Sequence, residues 1–191
     1  MTRVFLLLIA LWLCCPAWPA AQAAQPQLPP QLQLPQLQLP QLQPPQLQPP
    51  QLQPLYAADV GHMLAQTPGK PQIVEIWSLD CSYCRENVER IVAWQTKHPD
   101  VRLTMVAMDS FDDNAPMLEQ VLATMQLPPH TARHANAEAI PDKLRRALDT
   151  SWRGELPRTL LIDARGTRQG ESGLLSPDVL DRWRRQRADR E

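Results

Sequence analysis

A five-residue repeat of proline, glutamine and leucine fills residues 25–54, and it limits which part of the chain can fold. The unit is seen at residues 35–39 and again at 45–49. Proline removes backbone donors and most other residues are glutamine, so the repeat cannot build a packed core. We expect residues 24–55 to be an extended, polyproline-II-like linker, in which 30 residues could span about 90 Å. The remaining stretch, residues 56–191, has the size of one domain.

The N-terminal residues 1–23 have the pattern of a secretory signal peptide. Arg3 precedes an apolar core at residues 4–13, and Ala21–Ala23 forms a small-x-small cleavage site. We expect cleavage near Ala24 and a periplasmic location. The apolar core is short for a membrane span of about 20 residues, yet an uncleaved inner-membrane anchor stays open as the alternative. A long spacer would connect nothing on a freely diffusing protein, which supports a membrane tether.

The charge balance of the chain is ordinary for a soluble domain. The net charge is −1, and charged residues make up 20% of the sequence. A nucleic-acid-binding protein would need a basic surface to hold phosphates. We therefore expect no nucleic acid among the partners.

Alternating strand-like and helix-like segments predict an α/β fold with a central mixed sheet flanked by helices. The apolar run 73–77 predicts a buried strand, a helix should run from about Cys81 to Lys97, and residues 102–108 predict a second strand. Consecutive strand-helix-strand units call for a parallel core. Further helices are expected at residues 57–66, at residues 142–149 and after Ser176. Another helix should begin at a cap, Asp113 or Asn114, with Pro116 in its first turn. A hairpin is expected between strands 159–162 and 168–170.

Cys81 and Cys84 are the two cysteines that remain once the signal segment, with Cys14 and Cys15, is removed. Their Cys-x-x-Cys spacing between a strand and a helix is typical of a redox-active dithiol, because a helix N-terminus favours the thiolate. The same spacing occurs in zinc hairpins. A purely structural disulfide is a poor explanation, since so small a loop removes little unfolded-state entropy. Redox chemistry is favoured, with the other two open.

Three separated segments resemble the thioredoxin superfamily, specifically its exported TlpA-like branch of thiol-disulfide oxidoreductases. They are residues 73–85, with the strand, a tryptophan and the cysteine pair, residues 152–159, with Leu156-Pro157-Arg158-Thr159, and residues 160–166, a strand and turn. The resemblance covers roughly residues 57–185. It implies a thioredoxin-like fold and an oxidoreductase that needs no cofactor.

The resemblance also implies roles for the cysteines and an acid. Cys81 would attack a substrate disulfide, and Cys84 would resolve the mixed disulfide. Glu75, six residues before Cys81, matches the buried acid of thioredoxins and would exchange a proton with Cys84. The alternative for Glu75 is an edge-strand residue that faces water.

Three further residues are expected at the substrate surface. Pro157 should be cis and face the cysteine pair, with an ordinary trans turn proline as the alternative. The backbone of Leu156 could pair with an extended substrate segment, and Tyr83 could contact it.

Two positions depart from the pattern of this branch. Asp80 stands where many relatives carry Trp, and its charge should disfavour the Cys81 thiolate, whereas Arg85 should favour it. Asn87 stands where many of the reductases carry Glu.

The sequence thus favours an exported oxidoreductase that acts on the thiols or disulfides of exported proteins, as a reductase rather than an oxidase, with a membrane-bound redox partner. One alternative is a copper- or zinc-binding delivery module that uses the two cysteines and a histidine. Another is a redox-inert adaptor built around the spacer. His130 and His134 could share a helix face as a metal pair, although exposed helix or loop histidines are the simpler interpretation.

Overall fold

The computed structural model describes residues 50–65 and 69–188, so the expected signal peptide and most of the expected linker lie outside the described residues. The described chain forms a mixed sheet of six strands in the order β1-β4-β3-β2-β5-β6. The strands are β1 (Gln53–Leu55), β2 (Gln72–Trp77), β3 (Arg102–Ser110), β4 (Ala132–Asn136), β5 (Arg158–Ile162) and β6 (Arg168–Ser172). The helices are α1 (Val60–Ala65), preceded by a single 3₁₀ turn, α2 (Cys84–Gln95), α3 (Phe111–Thr124), α4 (Pro141–Leu148) and α5 (Pro177–Ala188).

The sheet has a parallel half and an antiparallel half. Strands β1, β4, β3 and β2 run parallel, β5 runs antiparallel to β2, and β6 completes a hairpin with β5. The predicted α/β class, the mixed sheet and the C-terminal hairpin are therefore confirmed. All parallel strands, including β1, point toward the edge at which β2 leads into the cysteine loop.

Side chains of the central strand β2 alternate between two buried layers. Ile73 and Trp77 belong to the core on one face together with Cys84 and residues of α3 and α5, whereas Val74 and Ile76 belong to the core on the other face with residues of α1 and α4. Glu75 shares the parity of Ile73 and Trp77. It therefore points into the layer that contains α2.

Two strands were not predicted from the sequence. The structure assigns residues 53–55, which we placed in the linker, to β1, because Leu52 and Leu55 are buried and the backbone pairs with β4. Strand β4 has the sequence Ala-Arg-His-Ala-Asn, which lacks an apolar pattern. It is held between β1 and β3 by tertiary pairing rather than by its own composition.

Two helices begin elsewhere than predicted. Helix α2 begins at Cys84 rather than near Cys81, because residues 81–84 form a turn in which Cys84 N donates to Cys81 O. Helix α3 begins at Phe111, since the Ser110 hydroxyl, and neither Asp113 nor Asn114, is its cap.

Candidate active site

The two cysteines form a disulfide across the loop that joins β2 to α2. Their sulfurs are 2.00 Å apart and their Cα atoms 5.4 Å apart. Cys84 is the first residue of α2 and is only 1% exposed, whereas Cys81 lies in the preceding turn and is partly exposed. A reagent from solvent therefore reaches Cys81 first, and Cys84 is reached through it.

Glu75 is completely buried and held by two hydrogen bonds. Asn87 Nδ2 donates to its Oε1 at 2.9 Å, and Thr159 Oγ1 donates to its Oε2 at 2.7 Å. Burial raises the pKa of Glu75 from 4.5 to about 8, although both hydrogen bonds act to lower it. The carboxyl group is thus protonated at neutral pH and can gain or lose a proton near pH 8. It does not face water, but its role as proton acceptor stays a prediction.

Asn87 connects this acid to two other parts of the fold. Besides Glu75, its Nδ2 reaches Thr159 Oγ1 at 3.2 Å, and its Oδ1 accepts from Leu175 N at 2.7 Å. Asn87 lies three residues after Cys84 on α2, so both side chains occupy the same face of that helix. Glu75 therefore lies in the same layer as Cys84 and is hydrogen-bonded to Asn87, which is one helical turn from Cys84. From the sequence, Asn87 was only a departure from a pattern.

Pro157 lies at the same edge of the sheet as the cysteine loop. The Leu156–Pro157 bond is cis, as predicted. The register pairs Ile76 with Arg158, which brings the buried Pro157 next to the end of β2 at Trp77. The carbonyl of Pro157 accepts from Gly173 N at 2.9 Å.

The two expected substrate-contacting residues differ in exposure. Tyr83 is 60% exposed immediately before α2. Leu156 is half-buried and packs against both core clusters. Tyr83 therefore has a surface to offer to a substrate, whereas Leu156 would contribute through its backbone, and both roles stay predictions.

A buried ion pair braces the segment that carries Pro157, and the sequence did not reveal it. Arg158, 7% exposed, pairs with Asp149 and donates to Ser172 Oγ at 2.8 Å. Burial acts to raise the pKa of Asp149, but hydrogen bonds from Ser151 and Arg158 keep it below its usual value. A Cβ at Gly170 would lie 2.7 Å from Arg158 Cζ, so with any larger residue there the ends of the two paired side chains would have to shift.

Asp109, at the end of β3, contacts the cysteine loop and was also missed. Its Oδ2 accepts from Leu79 N at 3.0 Å. Burial raises its pKa and the charge of Asp80 adds to this, against the hydrogen bond from Leu79. An acid after a strand that neighbours a catalytic loop is a signal that could have identified it.

The histidine pair does not form on a helix. His134 lies in β4, whereas His130 is exposed in the turn before it. Both line a cavity of about 90 Å³, and burial lowers the pKa of His134. In residues 50–65 and 69–188, no three His, Cys, Asp or Glu side chains cluster in a way that could hold a metal ion.

Comparisons with known proteins identify the fold. No protein-family model and no curated protein sequence matches the chain. Among solved structures, it is similar to a thiol:disulfide interchange protein of the thioredoxin family from Chlorobium tepidum, with a TM-score of 0.50 and 22% identity over 64% of this chain and 83% of that one. It is also similar to a DsbF homologue from Corynebacterium diphtheriae, with a TM-score of 0.52 and 10% identity over 64% of this chain and 75% of that one. The domain therefore has a thioredoxin-like fold, with its Cys81–Cys84 disulfide between β2 and α2 and a cis-proline before β5.

Proposed function

We propose that this chain is a thiol-disulfide oxidoreductase that reduces disulfides of exported proteins. The observation that carries the proposal is the disulfide between an accessible and a buried cysteine, in the same layer as a buried carboxyl group with a pKa of about 8. Cys81, Cys84 and Glu75 supply the chemistry of the proposed reaction.

The reaction starts from the reduced pair. The Cys81 thiolate attacks one sulfur of a substrate disulfide, which forms a mixed disulfide and releases the other substrate sulfur as a thiolate. Cys84 then attacks Cys81 Sγ, the substrate's second sulfur leaves, and the Cys81–Cys84 disulfide forms. The substrate gains two electrons and the protein loses two. Glu75 takes the proton that Cys84 must lose when its carboxyl group is ionised, since burial denies that thiol a direct exchange with water. With a pKa of about 8, Glu75 holds this ionised form in a minor fraction of the molecules at pH 7 and in most of them at pH 9.

An extended substrate strand can lie beside the Leu156–Pro157 segment, with the exposed Tyr83 as a further contact. The backbone of Leu156 offers hydrogen-bonding groups to such a strand, whereas the Pro157 carbonyl is already bonded to Gly173 N. The proline ring itself keeps a backbone N–H away from the sulfurs.

The N-terminal sequence supports the proposed location. Residues 1–23 support export to the periplasm, and residues 24–52 would separate the domain from a membrane if the signal segment were retained. Within residues 50–65 and 69–188, no helix has the length and apolar character needed to cross a membrane. A membrane-bound donor would return the oxidised pair to the dithiol state.

Reduction of insulin disulfides by the chain from Ala24 onward, with dithiothreitol as the electron source, tests the activity. Cys81→Ser should abolish it, and Ser82→Ala, an exposed neighbour, should not. Cys84→Ser should accumulate mixed disulfides with partners, which mass spectrometry can identify. A robust activity that survives Cys81→Ser would contradict the proposal.

The direction is tested by equilibration with glutathione. A reduction potential near −270 mV, as in thioredoxin, supports a reductase, and one near −120 mV, as in DsbA, supports an oxidase.

A further inference from the structure

Strand β3 extends beyond its neighbour β2 at the active-site edge. The pairing of these strands ends at Trp77 and Ala107, but β3 continues to Ser110. Its register against β4 shifts between Ala107 and Ser110, so Met108 and Asp109 are extra residues on the β3 side. Such a bulge reorients side chains and is common next to active sites. Here it brings the Asp109 carboxylate to the loop after β2.

That carboxylate is bonded to the turn that carries the first cysteine. Asp109 Oδ2 accepts from Leu79 N at 3.0 Å, and Cys81 N donates to Ser78 O at 3.2 Å. Ser78 O and Leu79 N belong to one peptide group. Together these contacts place Cys81 N within about 9 Å of the Asp109 carboxylate, given standard peptide dimensions.

Charges from three elements surround Cys81. Asp80 precedes it in the loop, Arg85 and Glu86 come after it on the first turn of α2, and Asp109 approaches from β3. Cys81 Sγ lies at most about 4 Å from its own backbone N, so it lies within about 13 Å of the carboxylate. A unit charge about 13 Å away changes an ionisation equilibrium about twofold in water and about ninefold at an effective dielectric constant of about 20. Because Asp109 is half-buried, we expect its effect on the ionisation of Cys81 to lie between these limits.

We propose that Asp109 is a positioning residue for thiol-disulfide exchange: it fixes the Cys81 turn through Leu79 N, and its charge disfavours the Cys81 thiolate. A less stable thiolate makes the dithiol easier to oxidise and hence a better reductant. The inference rests on the proposed function. The test of the inference needs no substrate turnover. The inference can therefore fail while insulin is reduced, and it can hold while insulin is not reduced.

Two variants separate the hydrogen bond from the charge. Asp109→Asn keeps an oxygen that can accept from Leu79 N but removes the charge, and Asp109→Ala removes both. Asp112→Asn, exposed in the first turn of α3, is the matched control for loss of one negative charge. The probe is iodoacetamide alkylation of Cys81 in the reduced Cys84→Ser background, measured from pH 5 to 9.

Asp109→Asn should raise the alkylation rate at least threefold on the acidic limb of the profile, and Asp112→Asn should leave it unchanged. With both cysteines present, Asp109→Asn should also shift the equilibrium with glutathione at least twofold toward the reduced protein. Asp109→Ala should in addition speed amide hydrogen exchange at Leu79 and Cys81.

Profiles of Asp109→Asn and Asp112→Asn that coincide with the parent protein would overturn the electrostatic part. Unchanged exchange in Asp109→Ala would overturn the positioning part. If Asp109→Ala does not fold, hydrogen exchange of the unmodified protein still tests the positioning part. Its Leu79 amide must then be better protected from exchange than that of Ser82, which has no hydrogen bond to Asp109.

Discussion

Replacing Glu75 with Gln should remove a large pH dependence from the stability of the domain. The pKa of Glu75 rises from 4.5 to about 8 on folding, so the native state holds this proton more tightly than the unfolded chain does. The stabilisation is fully present below about pH 4.5 and is lost as pH rises through about 8. At about 1.4 kcal/mol for each pKa unit, the loss totals about 5 kcal/mol.

Gln resembles the protonated acid in shape and can keep both hydrogen bonds. Its oxygen can accept from Asn87 Nδ2, and its amide can donate to Thr159 Oγ1 once that hydroxyl reorients. Glu75→Gln should therefore match the parent protein near pH 5 and exceed its stability by several kcal/mol at pH 9. Glu89→Gln, an exposed substitution on α2, should behave like the parent at every pH.

Urea unfolding of the oxidised proteins from pH 5 to 9 measures this difference, because the disulfide keeps both cysteines from titrating. Curves for Glu75→Gln and the parent protein that run parallel across this range would refute the reasoning. The same variant should slow resolution of a mixed disulfide on the order of 10²-fold, the usual effect of losing a general base. Single-turnover release of substrate thiol measures that rate, and an unchanged rate would remove Glu75 from the mechanism.

Three further substitutions test the surroundings of the site. Gly170→Ala should lower the free energy of unfolding by about 1–3 kcal/mol, because a Cβ there collides with the guanidinium of Arg158; thermal unfolding checks this, and an unchanged midpoint would contradict the packing. Asn87→Leu should raise the pKa of Glu75 further, since it removes a hydrogen bond that lowers it, and carboxyl NMR titration should show the midpoint above that of the parent. Leu52→Ala should lower the free energy of unfolding by about 2–5 kcal/mol, because the Leu52 side chain is buried in the core, and a cost near zero in urea unfolding would contradict that placement.

The sequence alone predicted those elements whose own residues carry a recognisable pattern. The run 73–77 predicted β2 because a β-branched, apolar segment of that length suits a buried strand. The cysteine spacing and Leu156-Pro157 were visible as motifs. The resemblance they carried gave the fold and pointed to the cis bond.

Strand β1 shows why other parts of the fold and of the site could not be predicted from the sequence. Residues 40–44, 45–49 and 50–54 are the same five residues, Pro-Gln-Leu-Gln-Pro, so no local pattern singles out the third copy. The third copy is succeeded by Leu55, which is 2% exposed, whereas each of the other two is succeeded by proline. Pairing of Leu55 with Asn136 of β4 joins residues 81 positions apart. Asp109 and the Arg158–Asp149 pair likewise depend on contacts between distant segments.

The position of Glu75 argues that this site is shaped by chemistry rather than by stability alone. Position 75 lies between Val74 and Ile76 and is fully buried, as they are. An apolar residue at this position would fill the layer that Glu75 occupies. It would avoid the loss of about 5 kcal/mol of stability that Glu75 causes as pH rises through 8. Asn87 and Thr159 offset part of that loss by hydrogen bonding to the carboxyl group, and their own polar atoms are buried in doing so. These three buried polar side chains hydrogen-bond to one another, and Asn87 lies one helical turn from Cys84. Such an arrangement is costly for a purely structural disulfide. A proton acceptor for a buried thiol explains why the arrangement lies here, in the same layer as the cysteine that solvent does not reach.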